Sequence, residues 1–254
     1  MLTAARPSPW VVTHRPSPDG MRLICFPYAG AGASAFRSWP DGLPSDVEIC
    51  AVQLPGRESR ITEPPVADLR ELVPRLSDAL EPYLDRPFAF FGHSIGALVC
   101  FELARELRRA RGLEPVHLFV SGCPAPHHPD SDRLSELSES EFVDRLKQFN
   151  GTPPEVLHHP ELMQLVLPTL RADFSLRDRY LHRDEPPLGC PITAFGGMAD
   201  GHVSGAKLEG WKRHSRERFQ LWLFQGDHFF LRTAQEPMLE ALSSLVSRCR
   251  GTAR

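Results

Sequence analysis

The sequence predicts an α/β protein, in which a mostly parallel central sheet carries helices on both faces and a helical insertion forms a lid. Short buried apolar runs alternate with amphipathic helical stretches, as expected of parallel strands joined by crossover helices. A Gly-x-Ser-x-Gly motif over 92–96 lies between one such run and a helical stretch. A long stretch, about 123–187, has helical patterns and no strand pattern.

Composition is that of a soluble globular protein. The 254 residues are 41% hydrophobic and 24% charged, with a net charge of −3, so we expect no nucleic-acid partner. We see neither a signal peptide nor an apolar stretch long enough to span a membrane, and therefore expect a cytoplasmic protein without a membrane partner. The six cysteines lie mostly in apolar runs without a Cys-x-x-Cys pair, which favours buried, reduced thiols.

The first half of the chain supplies most of the predicted sheet. Residues 1–20 are rich in Pro and Ser, so we expect a flexible N-terminal arm followed by one domain over 21–254. A helical stripe over 68–84 predicts a helix that Pro74 and Pro82 kink or break, and another helix runs from the motif to about 111. The predicted strands cover 21–26, 47–52, 88–91 and 117–121.

The second half opens with the insertion, in which helices are predicted over 140–149 and 161–181. Because no strand interrupts it, we expect a lid over the C-terminal edge of the sheet, where ligands bind in open α/β folds. The sheet then resumes. Strands are predicted over 191–195 and 219–224, and helices over 206–214 and 235–248.

The motif Gly92-His93-Ser94-Ile95-Gly96 predicts a serine nucleophile. A sharp turn between strand and helix would hold the Ser94 Oγ above the sheet edge, and a Cβ at either flanking position would collide with neighbouring backbone. His93 is expected to pack around this turn. On its own, the motif could equally be a glycine-rich turn without chemistry, so the assignment depends on suitable partners downstream.

His228 is the predicted general base, because it follows the last strand at the sheet edge from which Ser94 emerges. Asp200 ends the preceding strand and is predicted to fix the imidazole tautomer and stabilise the imidazolium. Asp227 should point away from its neighbour His228. The competing carboxylates are Asp130, Asp132 and Asp227.

The turn over 27–35 fits a loose dinucleotide fingerprint, but two features count against that interpretation. The next strand ends at Gln53 rather than at an acidic ribose ligand, and aromatic residues and a proline follow the turn. The turn is better suited to supply one donor of an oxyanion hole, the backbone N–H of Ala29. The second donor would be the backbone N–H of Ile95, the residue after the nucleophile. We expect no metal site. The pairs His127-His128 and His158-His159 lack the spacing of metal ligands and are predicted to be solvated histidines in loops.

Several motifs together resemble the type II thioesterases, the free-standing editing enzymes of polyketide and nonribosomal peptide synthesis. The resemblance covers about 21–245 and implies the α/β-hydrolase fold and a helical lid. We also expect no cofactor and a monomer. It also implies hydrolysis of acyl groups from the phosphopantetheine thiol of an acyl or peptidyl carrier protein. Ile95 departs from the family, which more often has methionine there. The motifs are 26–32, 53–58, 92–96, 196–200 and 226–230.

The resemblance leaves alternatives open. A medium-chain acyl-carrier thioesterase or a small-ester esterase would share the fold, and an inactive hydrolase fold could serve a synthase as a binding partner. Two sets of residues are candidates for substrate recognition. The lid positions that would line an acyl chamber are Leu146, Phe149, Leu165 and Phe174, and the arginines that would meet an acidic carrier are Arg57, Arg60, Arg177 and Arg179.

Overall fold

The computed structural model describes residues 8–128 and 133–251, and its centre is one seven-stranded sheet in the order β1-β3-β2-β4-β5-β6-β7. Only the β1–β3 pair is antiparallel, so the predicted mostly parallel sheet is confirmed. The strands are β1 Val11–Arg15, β2 Met21–Phe26, β3 Val47–Val52, β4 Phe88–His93, β5 His117–Ser121, β6 Ile192–Gly197 and β7 Phe219–Phe224.

Strand β1 corrects the prediction of a flexible arm over residues 1–20 for residues 11–15, while residues 1–7 lie outside the described residues. Val11 pairs with Val52 and Arg15 with Ile49, across an irregularity in the register. The Arg15 guanidinium also donates to several backbone carbonyls, including that of Val47 at 3.1 Å. Only Val11 of this strand is buried, so its sequence carries no strong apolar signal and pairing with β3 decides its structure.

The helices follow the predicted pattern with shifted ends. The Asp68 side chain caps the start of α1, which runs through Pro74, and a 3-10 turn containing Pro82 follows. Gly112 ends α2 in the left-handed conformation. The helices are α1 Leu69–Leu80, α2 Ile95–Arg111, α3 Glu139–Phe149, α4 Pro154–Leu157, α5 Pro160–Asp178, α6 Gly205–Glu209, α7 Phe230–Thr233 and α8 Gln235–Gly251.

Both faces of the sheet are covered, as predicted. Alternate residues of each strand point to opposite faces, which is why the central strands read as continuous apolar runs. One face packs against α1 and α2, the other against α8. The first core includes Ile24, Phe90, Leu72 and Leu103; the second includes Leu23, Phe91, Met238 and Leu242. All six cysteines are buried and none forms a disulfide, which confirms the prediction of buried, reduced thiols.

The insertion between β5 and β6 is helical over its described residues and forms the predicted lid, with no strand between 133 and 187. Its own apolar cluster joins α3 to α5. Met163, Leu167 and Leu170 share one face of α5 by their spacing and pack against Phe142 and Leu146. Within residues 8–128 and 133–251, no helix has the length and apolar character needed to cross a membrane.

Candidate active site

Ser94 lies at the turn from β4 into α2. Its backbone angles, φ 53° and ψ −123°, are ones that residues other than glycine rarely adopt. Its backbone N–H donates to the Ser121 carbonyl at 2.7 Å. A Cβ on Gly92 would lie 2.3 Å from the Gly96 carbonyl oxygen, and one on Gly96 would lie 2.3 Å from that of Phe26. The turn is therefore as tight as the motif predicts, and both glycines are required.

His228 and Asp200 are brought together from the ends of neighbouring strands. His228 Nδ1 lies 2.8 Å from Asp200 Oδ2, and the imidazole must donate because a carboxylate only accepts. The other Asp200 oxygen accepts the N–H groups of His202 and Val203 at 2.8 and 3.0 Å. Burial raises the pKa of Asp200, but the hydrogen bond and charge of His228 outweigh burial and leave that pKa below its usual range. Asp200 is thus a fixed carboxylate beneath the imidazole.

Ser94 and His228 line the same cavity, which has a volume of about 390 Å³. Asp227 does not compete with Asp200: its Oδ1 accepts the N–H of Phe229 at 2.8 Å, so its side chain is directed away from His228 as predicted. The other competing carboxylates, Asp130 and Asp132, lie outside the described residues. Asp200 is therefore the carboxylate that the structure pairs with His228.

His93 packs around the turn, as predicted. It is fully buried, and its Nδ1 lies 2.8 Å from the Ser121 Oγ. Burial, and next the charge of His228, hold the pKa of His93 well below its usual range. A ring that stays neutral and inside the core can support the turn but cannot exchange protons with a substrate.

Ala29 and Ile95, the predicted oxyanion donors, both line the cavity. Across residues 8–128 and 133–251, neither backbone N–H has a protein acceptor. The turn that carries Ala29 is followed by two short 3-10 turns, Ala33–Phe36 and Trp39–Gly42, instead of an α-helix. A dinucleotide site needs that helix N-terminus for its pyrophosphate, so the geometry also counts against the loose fingerprint.

The lid lines the cavity through some of the predicted residues. Leu146, Phe149 and Phe174 contribute to its wall. The prediction is wrong for Leu165, which is 56% exposed and absent from the wall, because it lies on the outer face of α5. Sequence reasoning missed Leu170, which the helical spacing from Phe174 could have indicated.

His127 and His128 are not the solvated loop residues that the sequence predicted. Both line the cavity, and His127 Nδ1 lies 2.9 Å from the Nε2 of His214. Burial lowers the pKa of His127, and burial followed by the neighbouring His127 lowers that of His214 to about 3. His158 and His159 are exposed, as expected. Among the described residues, no group of three or more His, Cys, Asp and Glu could hold a metal ion.

The four candidate arginines divide into two kinds. Arg57 and Arg60 are 4% and 5% exposed and bind protein carboxylates, so the prediction that they meet a partner is wrong. Arg177 lines the cavity, and Arg179 is exposed on an adjoining groove. Sequence alone could not separate the kinds, because burial of an arginine depends on the carboxylate that the fold brings to it.

A parallel sheet with a strained serine between strand and helix and an Asp–His pair at its edge defines the α/β-hydrolase class. The sequence matches the family described as "Thioesterase domain" over residues 21–246, and the chain belongs to that family.

The chain is also similar to named relatives and to solved structures. The chain is 44% identical over 249 residues to linear gramicidin dehydrogenase LgrE of Brevibacillus parabrevis, covering 96% of this chain and 95% of that one. It is 44% identical over 221 residues to gramicidin S biosynthesis protein GrsT of Aneurinibacillus migulanus, covering 87% and 86%. The solved type II thioesterase BorB from the borrelidin biosynthetic cluster has a TM-score of 0.87 and 34% identity, covering 96% and 100%.

Proposed function

We propose that this chain is a type II thioesterase, which hydrolyses acyl groups from the phosphopantetheine arm of carrier proteins and so removes aberrant or stalled units from a polyketide or nonribosomal peptide synthase. The observation that carries the proposal is the 2.8 Å Asp200–His228 pair on the wall of the cavity that Ser94 also lines. The likeness to the gramicidin S biosynthesis protein GrsT and to the type II thioesterase BorB of the borrelidin cluster supports this kind of pathway.

The proposed mechanism uses Ser94 as nucleophile and His228 as base. Ser94 Oγ attacks the thioester carbonyl while His228 takes its proton, and His228 then returns the proton to the leaving thiolate. Water hydrolyses the acyl-serine by the same proton transfers. The Ala29 and Ile95 N–H groups would bind the oxyanion, and the N-terminus of α2 adds its positive dipole end. Asp200 holds the imidazole in the tautomer that leaves Nε2 free to accept.

The cavity supports an acyl substrate of modest size. Its volume of about 390 Å³ is at the small end of ligand sites, and Leu98, Leu146, Leu170 and Phe174 make much of its wall apolar. An enzyme that accepts varied small acyl groups gains little binding energy from them, so recognition must come from the shared phosphopantetheine arm and carrier surface. Arg179, exposed near the lid, is a candidate for the carrier contact.

One relative carries the name of a dehydrogenase, but the turn after β2 gives no support to that activity in this chain. The turn is not followed by the α-helix that a dinucleotide site needs. In addition, Gln53 Oε1 accepts the Ala33 N–H of that turn at 2.7 Å. The side chain at the position of a ribose ligand is thereby already used by the protein.

Ser94→Ala tests the proposal, with Ser244→Ala on the exposed side of α8 as the matched control. We expect Ser94→Ala to fold, to resist a fluorophosphonate probe and to lose about 10⁴–10⁶ in kcat, while the control stays active. Hydrolysis should be faster with an acyl carrier protein than with the matching acyl-N-acetylcysteamine. A wild type that the probe does not label would favour an inactive binding partner, and a preference for nitrophenyl esters would favour a small-ester esterase.

A further inference from the structure

The segment Gln53–Glu58 follows β3 and takes no part in the proposed chemistry, although it is one of the motifs that carry the family resemblance. Its side chains bind the turn after β2. Gln53 accepts the Ala33 N–H at 2.7 Å, and Glu58 Oε1 accepts the N–H and the hydroxyl of Ser34 at 3.2 and 2.6 Å. The far end of the turn is therefore held by side chains from a neighbouring loop.

Arg57 extends this contact from the turn to the lid. Its Nη1 donates to the Ala31 carbonyl at 3.2 Å. Its two terminal nitrogens also bind both carboxylate oxygens of Asp173 on α5, at 2.7 and 2.8 Å. Asp173 Oδ2 in turn accepts the Gly30 N–H at 2.7 Å. Arg57 is 4% and Asp173 is 1% exposed, so water does not compete for these bonds.

The Gly30 N–H belongs to the peptide group that joins Ala29 to Gly30. That group is planar, so a hydrogen bond that fixes its N–H also restricts the orientation of Ala29. Helix α5 makes two further contacts beside this peptide group. Leu170 packs so close to Gly30 that a Cβ there would lie 2.6 Å away, and the Thr169 hydroxyl donates to the Gly56 carbonyl at 2.6 Å. The lid helix is thus in direct contact with the backbone beside the proposed oxyanion donor.

We propose that Arg57 and Asp173 are a positioning pair that couples the lid to the oxyanion hole. With α5 seated, Asp173 holds Gly30 and so aims the Ala29 N–H at the reacting carbonyl. When α5 moves away, Asp173 leaves with it and Ala29 loses that restraint. Fast hydrolysis then requires a seated lid. This inference rests on the proposed function, since it takes Ala29 as an oxyanion donor.

Two double variants isolate the hydrogen bond to Gly30. Arg57→Met with Asp173→Asn and Arg57→Met with Asp173→Leu both remove the buried charges as a pair, which avoids an unpaired buried ion. Asparagine keeps an acceptor for Gly30, whereas leucine does not. We expect the leucine variant to have the lower kcat by about 10²-fold with KM unchanged, by analogy with loss of an oxyanion donor. Equal kcat in the two folded variants would overturn the inference.

Arg57→Lys is the variant to use if either double variant fails to fold. A lysine keeps the charge beside Asp173 but cannot make the forked pair and the Ala31 bond together. We expect a lower kcat, unchanged KM and faster amide exchange over 27–34. Arg105→Lys is the matched control, because Arg105 is 3% exposed, binds Glu102 and Glu185 and does not contact the turn. If both lysine variants behave alike, the positioning role is wrong.

Ser94→Ala separates the two proposals. An active Ser94→Ala enzyme would remove the proposed function, and the coupling with it. An inactive Ser94→Ala enzyme, together with wild-type kcat in every Arg57 and Asp173 variant, would leave the proposed function standing and refute only the coupling.

Discussion

Lowering the pH should destabilise this protein through His117, at the start of β5. The ring is 6% exposed, stacks on Phe119 at 4.1 Å between ring centres, and has its Nε2 2.9 Å from the Thr193 hydroxyl. Burial lowers the pKa of His117 to about 4. In the unfolded chain the pKa of a histidine is about 6.5. Below that pH the unfolded chain takes up a proton that the folded protein does not, so the free energy of unfolding falls.

The magnitude follows from the two pKa values. The loss begins as the pH falls through about 6.5 and stops growing below about 4, where both states are protonated. Between pH 7 and pH 5, protonation of this one side chain in the unfolded chain lowers the free energy of unfolding by about 2 kcal/mol. His214, also 6% exposed and with a pKa of about 3, adds a separate contribution of the same sign.

Urea unfolding followed by tryptophan fluorescence at pH 7 and pH 5 measures this effect. His117→Gln keeps a hydrogen-bonding group near Thr193 but does not titrate, so its unfolding free energy should fall by about 2 kcal/mol less than that of the wild type over this interval. His158→Gln is the matched control, because it removes a histidine from the exposed surface instead of from the core. The same pH dependence in His117→Gln and the wild type would refute the reasoning.

Three further predictions concern the site. Asp200→Asn should reduce kcat by about 10⁴ without lowering Tm greatly, whereas Asp227→Asn should be mild; the reverse order in steady-state assays would exclude Asp200 as the orienting acid. Leu146→Trp should shift the chain-length profile towards shorter acyl groups by about 1–3 kcal/mol of discrimination, while Leu165→Trp on the outer face should not; equal profiles would make Leu146 a packing residue. Gly96→Ala should prevent the tight turn, since its Cβ would lie 2.3 Å from the Phe26 carbonyl, and a fully active variant would contradict that geometry.

The sheet and its order of elements could be predicted because two periodicities are strong here. Central strands are buried on both faces and therefore stand out as apolar runs, and helices such as α1 show a clear apolar stripe. Strand β1 could not be found this way. Its residues are mostly half-buried, and its structure comes from pairing with β3, a partner distant in sequence.

Some residues of the candidate site could be predicted from the sequence and others could not. Ser94, Asp200 and His228 could be chosen because each directly follows a recognisable strand, and the parallel sheet brings such positions to one edge. Residues whose surroundings come from the lid could not be assigned. Leu165 differs from Leu170 only in the face of α5 it occupies, and Arg57 reads as a surface arginine until Asp173 is placed against it.

The conformation of Ser94 has a thermodynamic consequence. The backbone of Ser94 is held at φ 53° and ψ −123°, which strains a residue that has a Cβ. Relative to glycine at this position, that strain lowers the stability of the fold by about 1–3 kcal/mol. The inactive Ser94→Gly protein should therefore be more stable than the active one. Selection for folding and solubility alone would then discard the nucleophile, and only a requirement for turnover keeps a serine at this turn.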